Sequence, residues 1–294
     1  MAAVITGAMV LATAPVTPPG NNARIGIDSI FTLANLRSTD DGDPGFPNSA
    51  ITNPLTYEAW RPALGSYIGY PVPDHIPAEV IFDAGTGKKC DYIGIAAHTL
   101  GTTGTQVTLS ASLDGVGLYT PITSFVPAND DPIMVLFDAV TYRYWKLELL
   151  PPGPPVTAAG APQVAVVYVG KLLEMPVAIY GGHAPLRLSR VTARRPNVSE
   201  RGQWLGLSIL RKGLRTSFAW KNLDPDWYRA TFDPFVALAR RLPWFIGWRP
   251  ERWPYEVGYV WTTGDISPTN MGVGRLMQVT VDVEGLDVAG EAGF

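Results

Sequence analysis

The sequence predicts a mainly β chain, a β-sandwich followed by a second part that is α+β yet still rich in strands. Three observations carry that expectation. The 294 residues include 30 Gly and 27 Pro spread throughout, which demands many turns and leaves little room for long helices. From Trp60 to Leu149 the apolar residues come in short or alternating runs, the period of strands. Past Leu172–Pro176 the character changes, because seven of the nine Trp fall between Trp204 and Trp261 and Asp-Pro helix starts enter.

In chain order, residues 1–23 read as an N-terminal arm. Met1 to Gly20 has no charged side chain, and Pro15, Pro18 and Pro19 break any helix there. Such an arm is expected to dock as a leading strand or on a neighbouring subunit. Ala12-Thr13-Ala14 is like a cleavage site, but the first basic residue is Arg24, so the basic start of a signal peptide is missing. In residues 24–172, strands are expected at Ala78–Asp83, Tyr92–Ala97, Gln106–Ser110, Ile133–Phe137, Tyr144–Leu149 and Val164–Val169. Turn residues separate them at Gly85-Thr86-Gly87, Gly101–Gly104, Asp114-Gly115 and Asn129–Pro132. Gly85–Lys89 lacks the Walker spacing and a following helix, so it reads as a hairpin turn and not a phosphate loop. Pro151–Pro162 reads as a long hairpin tip.

In residues 173–294, Leu186–Val191, Trp204–Leu210, Gly258–Thr262 and Leu276–Val283 look like strands. Asp224 and Asp233 each precede a Pro, so each is expected to cap a helix. The second helix should run from Pro234 to Leu242, burying Phe235, Leu238, Ala239 and Leu242 and stopping before Pro243.

Composition removes several function classes. A net charge of −3 gives no pull toward nucleic acid or acidic membranes, and no run of 18 apolar residues spans a bilayer. The charge is uneven: residues 1–172 carry 8 Lys/Arg against 14 Asp/Glu, and residues 173–294 carry 15 against 12. The halves suit head-to-tail packing of subunits, and solvated surfaces explain them as well. The single cysteine, Cys90, excludes an internal disulfide and a Cys-based zinc site, and its apolar surroundings read as a buried thiol.

From about Arg24 to Lys171 the order of motifs resembles the discoidin or coagulation-factor C-type module, a galactose-binding-like jelly roll. The motifs are Tyr57-Glu58-Ala59-Trp60, Glu79–Gly85, Ile93–Ala96, Val107–Gly115 with its Ser-x-Asp-Gly end, and Arg143-Tyr144-Trp145-Lys146-Leu147. The bracketing disulfide of that family is absent here. The second half, through Gly181–Pro185, Ser199–Gly202 and Trp248-Arg249-Pro250, is similar in layout to tail-tip proteins of long-tailed bacteriophages. That resemblance implies a distal-tail or baseplate ring protein of the virion, assembled in the host bacterial cytoplasm and contacting other tail proteins.

No catalytic constellation emerges from the residues. His75, His98 and His183 are isolated, no paired carboxylates sit in a glycosidase context, and a Cys90–His98 pair would need a reactive thiol. The chain is therefore expected not to be an enzyme. For sugar recognition, which needs an aromatic platform with a few polar groups, the rim candidates are Trp60, Tyr67, Tyr70, His75 and His98, with packing under loops as the competing reading. Asp40, Asp41 and Asp43 form a candidate calcium loop, with a solvated loop as the competing reading. In the Trp-rich tract, Trp244, Trp248, Arg249 and Trp253 are candidates for a subunit interface and core. The expected function is a structural tail-tip component that oligomerises through its C-terminal part and displays the discoidin-like module. The alternative is a lectin-like carbohydrate-binding protein.

Overall fold

The computed structural model describes residues 3–5, 9–11, 20–37, 42–64, 77–153, 160–272 and 275–286. Its strands are β1 (Ala3–Ile5), β2 (Met9–Leu11), β3 (Arg24–Gly26), β4 (Ala78–His98), β5 (Gln106–Ser112), β6 (Thr120–Pro127), β7 (Ile133–Leu150) and β8 (Val164–Gly170). They continue as β9 (Leu173–Glu174), β10 (Arg190–Val198), β11 (Trp204–Leu223), β12 (Trp244–Gly247), β13 (Val257–Thr262), β14 (Thr269–Asn270) and β15 (Met277–Gly285). The chain is mainly β, a jelly-roll sandwich followed by a β-rich module with short helices, as the sequence predicts.

The first sheet has the order β1-β6-β5-β7-β4-β8, with β2 alongside β7. Two strands are long because each serves both layers of the sandwich. Ala78–Asp83 of β4 lies opposite Tyr144–Leu149 of β7, and β5 and β6 extend that layer. Further along, Lys88–Ile95 lies against Ile133–Tyr142, and β8 closes the far side of β4. Alternation then fills one core, with Ala78, Val80 and Phe82 from one layer and Ile93 and Ile95 from the other.

The corner between the layers falls at Gly85–Gly87. The register jumps there from Asp83 opposite Tyr144 to Lys88 opposite Tyr142, so residues 84–87 bulge while both flanks stay on β7. Gly85 takes a φ of +74°, open to glycine, and donates its amide to Asp83 Oδ1 at 2.9 Å. The expected hairpin is thus a bulged corner. The strands on either side of Pro151–Pro162, β7 and β8, each pair with β4 and not with each other, so they do not form the expected hairpin, and residues 154–159 of its tip lie outside the described residues. The N-terminal segment pairs within its own chain, β1 parallel to β6 and β2 parallel to β7, so the leading-strand alternative describes it.

The second sheet runs β10-β11-β15-β13-β12-β3-β9, with β14 beside β15. Arg24–Gly26, expected at the start of the first module, therefore pairs with the second one through β12 and β9. Leu186–Leu188 is a 3-10 turn and the strand begins only at Arg190. Over this sheet lies one helical run, α1 (Pro225–Trp227), a π turn (Tyr228–Phe232) and α2 (Asp233–Ala239). Asp224 caps it as expected, accepting from the amides of Asp226 at 3.0 Å and Trp227 at 2.8 Å. Asp233 does not cap a second helix. Pro234 has no N–H for the regular ladder, and widening the preceding turn to π spacing keeps the helix running without that bond. The last turn closes with Leu242 N donating to Leu238 O at 3.0 Å, before Pro243.

The modules are pressed together across β8, all seven residues of which are buried. One face fills the sandwich and the other meets the second module. Tyr168 packs edge-on against Phe245 at 5.5 Å and Tyr259 at 6.2 Å, and its hydroxyl donates to Pro243 O at 3.2 Å. Phe245, Val257 and Tyr259 of the second sheet belong to the first module's core. Gly94 makes room for this: a Cβ there would lie 2.8 Å from the Phe245 ring. Gly94→Val is expected to lower stability by about 1–3 kcal/mol through overpacking, seen as a reduced urea midpoint.

Candidate functional site

Residues 42–64 form a fixed loop at the edge of the sandwich. Trp60 anchors it: Trp60 N donates to Val164 O at 2.9 Å and Val164 N returns a bond to Trp60 O at 3.0 Å, with the indole fully buried. The other end is closed by Asp43 N donating to Arg61 O at 2.7 Å and Arg61 N donating to Phe46 O at 3.2 Å. The Arg61 guanidinium pairs with Asp43 at 2.6 Å and stacks 3.8 Å from the Phe46 ring centre. Pro54 O accepts from Tyr259 Oη at 2.8 Å, so the second module also holds the loop.

A shallow cleft of about 340 Å³ opens between the ends of this loop, lined by Phe46, Pro47, Ser49, Asn53, Tyr57 and Glu58 among others. Tyr57 is 79% exposed, unusual for a ring of that size. Beside it, Asn53 Nδ2 donates to Glu58 Oε2 at 2.8 Å, and Asn53 Oδ1 accepts from Leu55 N at 2.8 Å. These bonds fix the amide while leaving Glu58 carboxylate lone pairs toward solvent. The result is a flat aromatic face with a carboxylate, an amide and a hydroxyl beside it, held by backbone bonds at both ends. Sequence reasoning used Tyr57 only as part of a motif, and no periodicity distinguishes its exposure from the burial of Trp60 three residues later.

The sequence-predicted rim residues fare differently. Trp60 is core and offers no face to a ligand. His98 is buried as well, and both ring nitrogens are used: Nδ1 accepts from Leu100 N at 3.3 Å and Nε2 meets Asp131 O at 3.0 Å. A backbone amide on Nδ1 and a carbonyl on Nε2 require the neutral tautomer with the proton on Nε2. Tyr67, Tyr70 and His75 lie outside the described residues, as do Asp40 and Asp41 of the candidate calcium loop. Asp43, the remaining member, has its charge met by Arg61 at 2.6 Å. No group of three potential metal ligands occurs among the described residues.

Other motifs prove to be locks for the fold. Arg143 donates to both oxygens of Asp83, at 2.7 and 3.0 Å, and Arg37 adds a third contact at 2.9 Å. The Arg143 hydrogen bonds hold the Asp83 carboxyl down at about 2. In the Ser-x-Asp-Gly turn, Ser112 Oγ donates to Asp114 Oδ1 at 2.9 Å and accepts from Gly115 N at 3.2 Å. Cys90 is buried, and desolvation pushes its thiol up to about 12, which removes it as a thiolate nucleophile.

The Trp tract is mostly interior. Trp244 is fully buried, edge-on to Phe235 at 5.1 Å, between the helix and the sheet. Trp248 is buried with its Nε1 donating to Glu256 at 2.5 Å and its ring 4.7 Å from His183. These two therefore fill the core part of that expectation, Trp244 against Phe235 of α2 and Trp248 against His183. Arg249 and Trp253 are half-buried beside them. The exposed tryptophan is Trp204, 71% accessible on β11.

No family model matches the chain, and no curated protein matches it. Solved structures that resemble about half of it include carbohydrate-binding modules. Chitosan-binding module 1 of a chitosanase/glucanase from Paenibacillus sp. IK-5 is 12% identical, covering 49% of this chain and 98% of its own, with a TM-score of 0.38. CpGH89CBM32-5 from Clostridium perfringens, in complex with GalNAc-β-1,3-galactose, is 14% identical over 47% of this chain and 96% of its own, at 0.36. The CBM32 of AlyQ, in complex with 4,5-unsaturated mannuronic acid, is 17% identical over 46% and 92%, at 0.34.

Burial holds the His98 imidazole down at about 4, against an ordinary 6.5. The unfolded chain then takes up the proton first. His98 contributes full stability above pH 6.5, and that contribution falls away as pH drops toward 4, about 3 kcal/mol in all. Urea titrations from pH 8 to 4 should show this slope, and His98→Gln should flatten it relative to the unsubstituted protein.

Proposed function

We propose that this chain is a non-enzymatic binding protein whose first module holds a carbohydrate in the cleft beside Tyr57. The observation that carries the reading is a Tyr ring 79% exposed on a loop tied by backbone hydrogen bonds at both ends. A sugar presents one apolar face and a rim of hydroxyls. The Tyr57 ring suits the face, and Glu58, Asn53 and Ser49 suit the hydroxyls as acceptors and donors. Because the loop is held before the ligand arrives, little ordering entropy opposes binding. The roles of the other polar groups agree with a non-catalytic chain: Cys90 is a poor nucleophile, His98 is locked neutral, and Asp83 is consumed by two arginines.

A second reading places the same chain in a phage tail tip, as a structural virion protein that oligomerises and displays the first module outward. The projecting ribbon of β10 and the first half of β11 favours it, since a lone monomer has no use for such an element. Ring-shaped oligomers seen by electron microscopy of the purified protein would support this reading.

For the carbohydrate reading, a glycan array followed by calorimetry is the test. Tyr57→Ala is expected to weaken binding of any captured glycan at least about tenfold, roughly 1.4 kcal/mol, with an unchanged circular dichroism spectrum. Glu58→Gln should weaken it less. An array on which nothing binds, or a Tyr57→Ala protein that binds as well as the parent, overturns the proposal.

A further inference from the structure

β10 and the first half of β11 leave the body of the second module. β15 pairs with β11 only from Leu214 onward, so residues 190–213 form a two-stranded ribbon with no further sheet neighbour among the described residues. Nine residues of β10 make it about 30 Å long. It contains Val191, Val198, Trp204, Leu205, Leu207, Ile209 and Leu210, all among the exposed large apolar side chains of the described residues.

Register sorts these side chains. Directly paired residues share a face, and the pairs are Arg194 with Ile209, Pro196 with Leu207, and Val198 with Trp204. The opposite face carries Arg195 with Ser208 and Asn197 with Gly206. Irregularities between Ala193 and Arg194 and between Asn197 and Val198 place the extra residues Leu210 and Leu205 on β11. The ribbon is therefore amphipathic along its outer half, with an apolar stripe of Ile209, Leu207, Pro196, Val198 and Trp204 that is left exposed among the described residues. Pro196 and the bulges make the edges poor templates for strand addition, so the face is the contact and not the edge.

Charge selects the occupant. Residues 190–212 carry six Lys/Arg and one Glu, a net of +5, while residues 1–172 carry 8 against 14, a net of −6. Arg190, Arg194, Arg195 and Arg201 are all exposed. We propose that this ribbon is an assembly arm that lays its apolar stripe on the acidic first module of a second copy of the chain. The inference rests on the oligomeric reading above and is independent of the carbohydrate cleft. Aromatic and Arg residues around an apolar stripe are the composition of an interface centre with a polar rim, and opposite charge steers the encounter.

The test is analytical ultracentrifugation of the full chain over a range of concentration and salt, with cross-linking mass spectrometry. The unsubstituted protein should self-associate, more tightly at low salt, with cross-links from Lys212 to the first module of another copy. Trp204→Ser/Leu207→Ser/Ile209→Ser should weaken association at least about tenfold, roughly 1.4 kcal/mol, without shifting Tm. Arg194→Glu/Arg195→Glu, which leaves the apolar residues in place, should weaken it and reverse the salt dependence. Association that persists unchanged in both variants overturns the arm and leaves the oligomeric reading standing. A monomer at every concentration and salt overturns both. Arm-dependent binding to phosphatidylserine vesicles or to DNA, with no self-association, overturns the choice of a second copy.

Discussion

The face between β8 and the second sheet is the constraint on which the rest of this molecule depends. A strand whose seven residues are all buried needs cover on both sides, and the second module meets it there at Tyr168. Tyr168, Phe245 and Tyr259 fill that face, with Gly94 cut back to admit the Phe245 ring. The same contact decides the position of the candidate site, because Tyr259 reaches from it to the carbonyl of Pro54 and steadies the loop that exposes Tyr57. The two modules are consequently one packed object in which the loop carrying Tyr57 is referenced to both.

Within that frame the two proposed surfaces use different physics. The Tyr57 cleft is small and its polar groups are oriented by bonds already made, which suits a ligand with few atoms and many hydroxyls. The β10–β11 ribbon is long, apolar on one face and basic at its margins, which suits a protein surface. Trp60 and Trp204 show how little residue type says alone: one is an anchor with no accessible surface, the other stands in solvent.

Much of the fold was legible because alternation and turn chemistry are local. The strands of the sandwich, the Asp224 cap and the break before Pro243 all follow from residues within a turn of one another. What was not legible depends on pairing at a distance. Nothing near Arg24–Gly26 tells that it pairs with β12, some 220 residues away, and nothing near Gly85 tells a bulged corner from a hairpin. The site was less legible still. Tyr57, Trp60 and Trp244 differ in burial only because of what folds over them, and a Trp-dense tract reads equally as core or subunit interface until the helix covering Trp244 is in place.

β11 passes from the free ribbon into the sheet without interruption, and from Leu214 to Leu223 it is bonded to β15. The bonds of an antiparallel pair lie across the strand direction. A pull along the ribbon therefore strains the β15 ladder in shear, many bonds at once, instead of peeling them singly. Tension entering at Trp204 reaches the middle of the second sheet as a shared burden, a mechanical grip that a hairpin hung from a flexible loop would not possess.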